Sequence, residues 1–399
     1  MAYLDHAATT PMSRAAVAAL TAEMEQVGNP SSLHAAGRRA RRVVEESRET
    51  IAAALGARPG EVVFTAGGTE ADNLALKGLF WSRVDSEPKR RRVLVSAVEH
   101  HAVLDTAEWL ADHEGAELQL LAVDRLGRID VAAAREAVER DPGSVALLSC
   151  MWANNEVGTV QPVAELGELC AEFDVPFHSD AVQAVGQLEV TFPAEMSALT
   201  VSAHKLGGPA GIGALVVGRD AKLTPLLHGG GQERQVRSGT LATPLIAGFA
   251  AALAEASAGL DIRGKYLAGL RDELIERIGV AVPDSVLNGD PDPRPTHRLP
   301  NNAHFSFPGC EGDALLMLLD AHGLECSTGS ACSAGVPQPS HVLLALGVEA
   351  QQARGSLRFS LGMTSRASDV EELIAVLPGA VERAQRAGAA RAGRRQCAY

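Results

Sequence analysis

From about residue 60 to residue 220, short apolar runs alternate with stretches in which apolar residues return every three or four positions. The runs at 61–65, 93–96, 118–123, 145–151, 176–178, 199–202 and 213–217 predict strands. The amphipathic stretches at 70–80, 101–113, 131–139 and 163–173 predict helices. Strands that alternate with helices imply parallel strands joined by crossovers, hence an α/β sheet covered on both faces. In such a sheet ligands bind beyond the carboxyl ends of the strands.

After Pro244 the texture changes to alanine- and leucine-rich helix as far as about residue 280. Pro283, Pro291, Pro293, Pro295 and Pro300 then punctuate a loop-rich entry into a second unit. Strands are expected there at 304–307 and 356–360, and helices at 313–322 and 369–376, in a smaller α+β arrangement. The stretch 382–399 is rich in alanine and arginine, and a solvated helix end or frayed tail accounts for it more simply than docking of an acidic partner. No internal repeat is visible.

Hydrophobic residues make up 46% of the 399 and charged residues 21%, the balance of an ordinary globular protein. Aromatic residues are only 4%, so the core is built mostly from Ala, Val and Leu. A net charge of -13 argues against broad contact with nucleic acid phosphates or anionic lipid, and a small molecule is the expected partner. Residues 1–10 carry no basic segment followed by an apolar run, and no apolar stretch is long enough to span a bilayer, so a cytoplasmic protein is expected. The six cysteines, at 150, 170, 310, 326, 332 and 397, form no disulfide framework, and Cys326 and Cys332 lack a zinc-ligand spacing.

Candidate chemistry centres on Lys205, which the strand 199–202 delivers to a glycine-rich run. A lysine amine desolvated among small residues loses proton affinity and can form a Schiff base with a carbonyl or with pyridoxal phosphate. A surface lysine in a turn is the simpler account of an isolated His-Lys pair. Four other strand ends change the odds. Thr65-Ala66-Gly67-Gly68-Thr69-Glu70 joins a strand to a helix, offering backbone N–H groups and the Thr69 hydroxyl to a phosphate, although glycine and threonine are also common helix punctuation. Asp180 ends a strand where a carboxylate can hold a pyridine nitrogen protonated, and a helix cap explains it equally well. Glu99-His100-His101 puts an imidazole where it can stack on a cofactor and shuttle protons, against the alternative of a satisfied histidine at a helix start. Asn154 and Asn155 offer amides to a phenolic oxygen or a carboxylate, and turn chemistry accounts for them as well. The glycines at 207–213 precede a strand and contain Pro209, which argues against a dinucleotide loop. Cys332 lies in a small, polar segment of the kind that carries a reactive thiol, whereas Cys326 follows an apolar run and is expected to pack.

The motifs YLDHAATTP, GNPSSLH, FTAGGTEADNLA, VEHHAVLD, WANNEVGTVQP, HSDAVQAVG, SAHKLGGPAGIGAL, HGGGQERQVRSGT, STGSACSAG and GSLRFSLG run nearly end to end. Through them the chain resembles the cysteine desulfurases of the NifS/IscS type, in the class V aminotransferase group, and most of all the actinobacterial members. The resemblance implies the pyridoxal 5'-phosphate-dependent transferase fold type I. A large domain with a mostly parallel sheet is expected over 15–260, and a small α+β domain from 1–14 and 261–399 carries the catalytic cysteine loop. It implies that Lys205 holds the cofactor, His100 stacks on its ring, Asp180 pairs with the pyridine nitrogen and Gln183 faces the phenolic oxygen. Gly68, Thr69, Ser202 and His204 would bind the phosphate, completed by Thr240 of a second copy in a homodimer. Asn155, also a cofactor neighbour, and Arg358 would orient the substrate carboxylate.

The implied reaction converts L-cysteine to L-alanine. Lys205 removes the α-proton, His100 acts as acid/base for the substrate thiol, and Cys332 takes the sulfur as a persulfide. The implied sulfur acceptors are an iron–sulfur scaffold or a tRNA-thiolation protein. A selenocysteine lyase of the same fold would need the same lysine and aspartate. An aminotransferase or decarboxylase would have no use for Cys332, and a non-catalytic scaffold would be expected to lose Lys205 or Asp180.

Overall fold

The computed structural model describes residues 1–329 and 338–396, with side chains described to residue 388. The chain opens with a two-residue strand, β1 (Ala2–Tyr3), followed by helices α1 (Arg14–Met24) and α2 (Ala35–Ala54). The next strands are β2 (Val62–Thr65), β3 (Arg92–Ser96), β4 (Glu117–Leu121), β5 (Val145–Ser149), β6 (Phe177–Asp180), β7 (Ala198–Ser202) and β8 (Gly213–Val217). The intervening helices are α3 (Gly68–Ser86), α4 (His101–Glu114), α5 (Val131–Glu139) and α6 (Val163–Glu172). Among the described residues β2 to β8 form one seven-stranded sheet in the order β2-β8-β7-β6-β5-β3-β4.

Period-two alternation sends successive side chains of each strand to opposite faces. Val62, Phe64, Leu94, Leu148 and Leu199 meet one core with Ile51 of α2 and Leu166 of α6. Val63, Val93, Val95, Leu147 and Leu215 meet the other with Leu74 and Leu79 of α3 and Val103 of α4. Central strands β5, β6 and β7 are buried along their whole length, while edge strand β4 leaves Leu120 exposed.

The sheet is mostly parallel, as expected, and one strand reverses. β8 runs antiparallel to both neighbours, β7 and β2, whereas the other pairings are parallel. The connection 203–212 from β7 to β8 holds only the short 3-10 turn Ala203–Lys205, too little chain for a helical crossover. That short return places Lys205 at the carboxyl end of β7. β6 runs to Asp180, so this carboxylate ends the strand beside Lys205's.

Beyond the sheet, α7 (Thr243–Ala258) and α8 (Leu260–Ala281) lead into β9 (Val286–Asn288) and β10 (Asn302–Ser306), α9 (Gly312–Asp320) and β11 (Leu324–Glu325). The chain then continues through α10 (His341–Ala345), α11 (Ala350–Arg354), β12 (Ser356–Ser360) and α12 (Ala367–Gln396). β10 sits between β9 and β12 in an antiparallel sheet, and β11 takes β1 as its parallel neighbour. A separate apolar cluster gathers Leu267, Phe305, Leu315, Phe359 and Leu373 around Ala2 and Leu4. The first residues thus pack with the last third of the chain. α12 passes through Pro378 and takes up the arginine-rich stretch to Gln396, so as far as Gln396 that stretch is helix rather than frayed tail. Among the described residues no single helix is long and apolar enough to cross a membrane.

Candidate active site

The carboxyl ends of β2, β3, β5, β6 and β7 open on a cavity of about 360 Å³. Gly68 and Thr69 reach it from the start of α3, His100 from the start of α4, and Asn155 from the turn after β5. Asp180 and Gln183 come from the end of β6, and Ser202, His204 and Lys205 from the end of β7. Arg358 of β12, Ser327 and Gly329 close the far side, and Ala7 and Ala8 complete the wall from the N-terminal segment. Of the residues given a role through the family resemblance, this set omits Thr240 and Cys332. Thr240 is exposed and does not line this cavity, and Cys332 lies outside the described residues.

Lys205 Nζ donates to the carbonyls of Ala7 and Ala8, each at 2.7 Å. Burial pushes its pKa down to about 8, aided by the Arg358 cation and opposed by Asp180 and Asp5. Gln183 Nε2 donates to the same Ala7 carbonyl at 2.9 Å. Asp180 is buried, and its Oδ1 accepts the Val182 N–H at 2.8 Å. Burial pushes this carboxyl up to about 6 against the pull of that N–H and of Lys205. His100 both caps α4, accepting the Ala102 N–H on Nδ1 at 3.1 Å, and lines the cavity. Desolvation, then the Lys205 charge, pushes its pKa down to about 4, so the ring is neutral near pH 7. His204 stands 3.2 Å from Thr9 Oγ1 and is likewise pushed down to about 4, first by burial and then by Lys205.

Arg358 is almost fully buried. Its Nη2 donates to Asp5 Oδ1 at 2.7 Å and its Nη1 to the Asn155 carbonyl at 2.9 Å, while Nε has no partner. A carboxylate approaching this fork competes with Asp5. Asn154 resolves to the turn alternative: it is buried, its Oδ1 accepts the N–H groups of Glu156 and Val157, and Asn155 alone of the two lines the cavity. Cys326 packs as expected, and burial pushes its thiol up to about 12.

Sequence reasoning missed several participants. Asp72, one turn into α3, is buried at the cavity wall, and its Oδ1 has no hydrogen-bond partner 3.6 Å from His178 Nε2. Burial raises this carboxyl well above the usual range, with Asp180 adding to the effect and a Thr200 hydrogen bond opposing it. His178 is fully buried between Ser149 Oγ at 2.9 Å and Thr200 Oγ1 at 3.1 Å, and burial pushes it down to about 3. The motif TEADNLA contains Asp72, but only the fold shows that this side chain turns toward the site. The Ala7 and Ala8 carbonyls had no signal at all, because backbone atoms have no residue type.

The donor set suits pyridoxal phosphate. A Cβ at Gly68 would lie 3.1 Å from Val182 Cγ2 and 3.6 Å from Ser202 Cβ, so a side chain there would crowd the space at the helix start. The free N–H groups of the first turn of α3 suit a phosphate. Lys205 and the buried carboxylate of Asp180 supply an amine for the aldehyde and an anion for the ring nitrogen.

Comparison with known proteins gives one family. Residues 2–373 match the family Aminotransferase class-V. The chain is 57% identical over 394 residues to the IscS-like cysteine desulfurase of Mycobacterium tuberculosis, spanning 98% of this chain and 99% of that protein. A solved NifS-like protein superposes with a TM-score of 0.86 at 31% identity, covering 96% of this chain and all 100% of the other. The structure of SspA in complex with cysteine superposes with a TM-score of 0.76 at 33% identity, over 90% and 99% of the two chains. The chain therefore belongs to the class V aminotransferases and, within them, to the IscS-like cysteine desulfurases.

Proposed function

We propose that the cavity at the strand ends carries the reaction of this family in the present chain: L-cysteine gives L-alanine, and its sulfur passes to Cys332. The protein is a pyridoxal phosphate-dependent cysteine desulfurase. The observation that carries the site assignment is the convergence of Lys205 Nζ, the Asp180 carboxylate and the start of α3 on one cavity with Arg358 opposite.

When bound, pyridoxal phosphate supplies an electron sink for the pair left at the substrate α-carbon. Burial lowers the Lys205 pKa from 10.5 to about 8, which raises the fraction of unprotonated amine near neutral pH, and it is this neutral amine that accepts the α-proton. Arg358 and Asn155 orient the substrate carboxylate, and Asp5 yields the guanidinium as the substrate enters. Neutral His100 handles the proton at the substrate sulfur. The Cys332 thiolate attacks that sulfur, an S–S bond forms as the C–S bond breaks, and the α-proton and thiol proton end on alanine. The balance is L-cysteine plus Cys332 thiol to L-alanine plus Cys332 persulfide.

The same reading extends to assembly. Thr240 lies outside its own cavity, and Val17, Met24, Val27 and Leu33 expose apolar surface on and around α1 and α2. A second copy covering that face and lending Thr240 to the phosphate site accounts for both, giving a homodimer. The apolar clusters support a large domain over 15–260 and a small one from 1–14 and 261–399. The persulfide goes to a cytoplasmic acceptor, an iron–sulfur scaffold or a tRNA-thiolation protein. The test is the visible spectrum of the purified protein, then alanine and sulfide measured after adding L-cysteine with reductant. Colour with equal alanine and sulfide, lost on Cys332→Ser, supports the reading. Colour without sulfide assigns another specificity, and a colourless protein that cannot be reconstituted overturns it.

A further inference from the structure

Arg237 stands outside the cavity, yet it reaches the phosphate end of the site from behind. α3 begins at Gly68 after Gly67, whose φ of 147° favours glycine and which offers no side-chain cap. The third residue of the helix, Glu70, turns its Oε2 back to accept the Ala66 N–H at 2.8 Å. It thereby fixes the turn from outside the helix and leaves the N–H groups of the first turn for a ligand. A carboxylate next in sequence to Thr69 would repel a bound phosphate dianion. Arg237 meets it with both arms, Nε to Oε1 at 2.8 Å and Nη2 to Oε2 at 3.3 Å, and the two side chains are only 18% and 20% exposed.

Arg237 is itself held in place. Glu233, four residues earlier, is buried, takes both arms of Arg48 at 2.8 and 2.7 Å, and accepts the Phe64 N–H of β2 at 2.9 Å. The loop also closes on itself, with Gly239 N–H donating to Gln232 Oε1 at 2.8 Å. A Cβ at Gly239 would fall 3.1 Å from Arg237 Nη1, and the glycine's φ of 127° leaves that space open.

We propose that Arg237 is a positioning residue for the cofactor phosphate: its guanidinium neutralises and orients Glu70, whose carboxylate shapes the turn 65–69. This rests on the assignment of the cavity to pyridoxal phosphate. Arg237→Met leaves the Glu70 charge uncompensated beside the phosphate site, whereas Glu70→Gln removes the charge that needed compensation.

The full chain is stripped of cofactor and titrated with pyridoxal phosphate and, in parallel, with pyridoxal, which lacks the phosphate. Arg237→Met is expected to weaken pyridoxal phosphate binding by about tenfold or more and to leave pyridoxal within about twofold, because the uncompensated charge acts on the phosphate alone. The double variant Glu70→Gln/Arg237→Met is expected to recover to within about threefold of wild type, as coupled partners should. Arg237→Lys keeps the charge with one contact fewer, falls between, and serves if the methionine variant does not fold. Unchanged pyridoxal phosphate affinity in Arg237→Met, equal losses for both ligands, or no recovery in the double variant would overturn the proposal. Failure of the wild type to bind pyridoxal phosphate would instead overturn the cavity assignment beneath it.

Discussion

Lys205 is kept in the site against the interest of the fold, and the size of that conflict can be measured. Holding a lysine protonated where its pKa has fallen from 10.5 to about 8 costs about 3 kcal/mol at ~1.4 kcal/mol per pH unit. Lys205→Met removes that cost but leaves the Ala7 and Ala8 carbonyls without the amine, a loss of about 1 kcal/mol in total because Ala7 keeps Gln183 and Ala8 is open to solvent. The net expectation is a cofactor-free Lys205→Met protein about 2 kcal/mol more stable than cofactor-free wild type at pH 7. The sign of the pH dependence follows from a lowered pKa on a base. Below pH 8 both folded and unfolded states carry the proton and the penalty is complete. Between about 8 and 10.5 only the folded state loses it, and the penalty fades. Urea titrations of both proteins, stripped of cofactor, at pH 7 and again near pH 10 read the difference directly. A variant less stable than wild type at pH 7, or a stability gap that does not shrink toward pH 10, would refute the reasoning.

Other outcomes follow from the same geometry. Because burial holds Asp180 near 6, pyridoxal phosphate affinity of the wild type should fall as pH drops through 6, where the carboxylate is lost. In Asp180→Asn that break should disappear and turnover should drop by roughly a hundredfold or more, checked by equilibrium dialysis and alanine formation. Arg358→Met should raise the KM for L-cysteine by about ten- to a hundredfold, the value of a lost charge-assisted pair, with a smaller change in kcat. Because burial raises the Asp72 carboxyl above its ordinary range, Asp72→Asn should gain stability relative to wild type in urea unfolding as the pH rises from about 4 to about 7. A gap that moves the other way would contradict that burial cost.

Much of this site was visible in the chain because its residues are of unusual type for their setting. A lysine, an aspartate and a histidine at the ends of apolar strands each had an ordinary explanation, and their joint occurrence on successive strands did not. His100 shows why single positions mislead: it serves as a helix cap and as a cavity wall at once. What stayed hidden depends on contacts distant in sequence. Asp5 meets Arg358 across 353 positions, and the pairing of β1 with β11, continued by the Asp5 bridge to Ser360 of β12, brings that segment over the cavity. The reversed direction of β8 follows from a short connection, a geometric constraint that apolar periodicity does not record. α1 escaped notice because it is alanine-rich with a single buried residue, Ala16. Ala19 and Leu20 are half-buried, while Val17 and Met24 stay exposed within the single chain.

The most direct test of the central claim is the mass of the peptide bearing Cys332 after one equivalent of L-cysteine is added without reductant. The account predicts one added sulfur atom on Cys332, alanine released in equal amount, and no addition at buried Cys326. Alanine formed with no sulfur on Cys332, or with the sulfur on another cysteine, would contradict it.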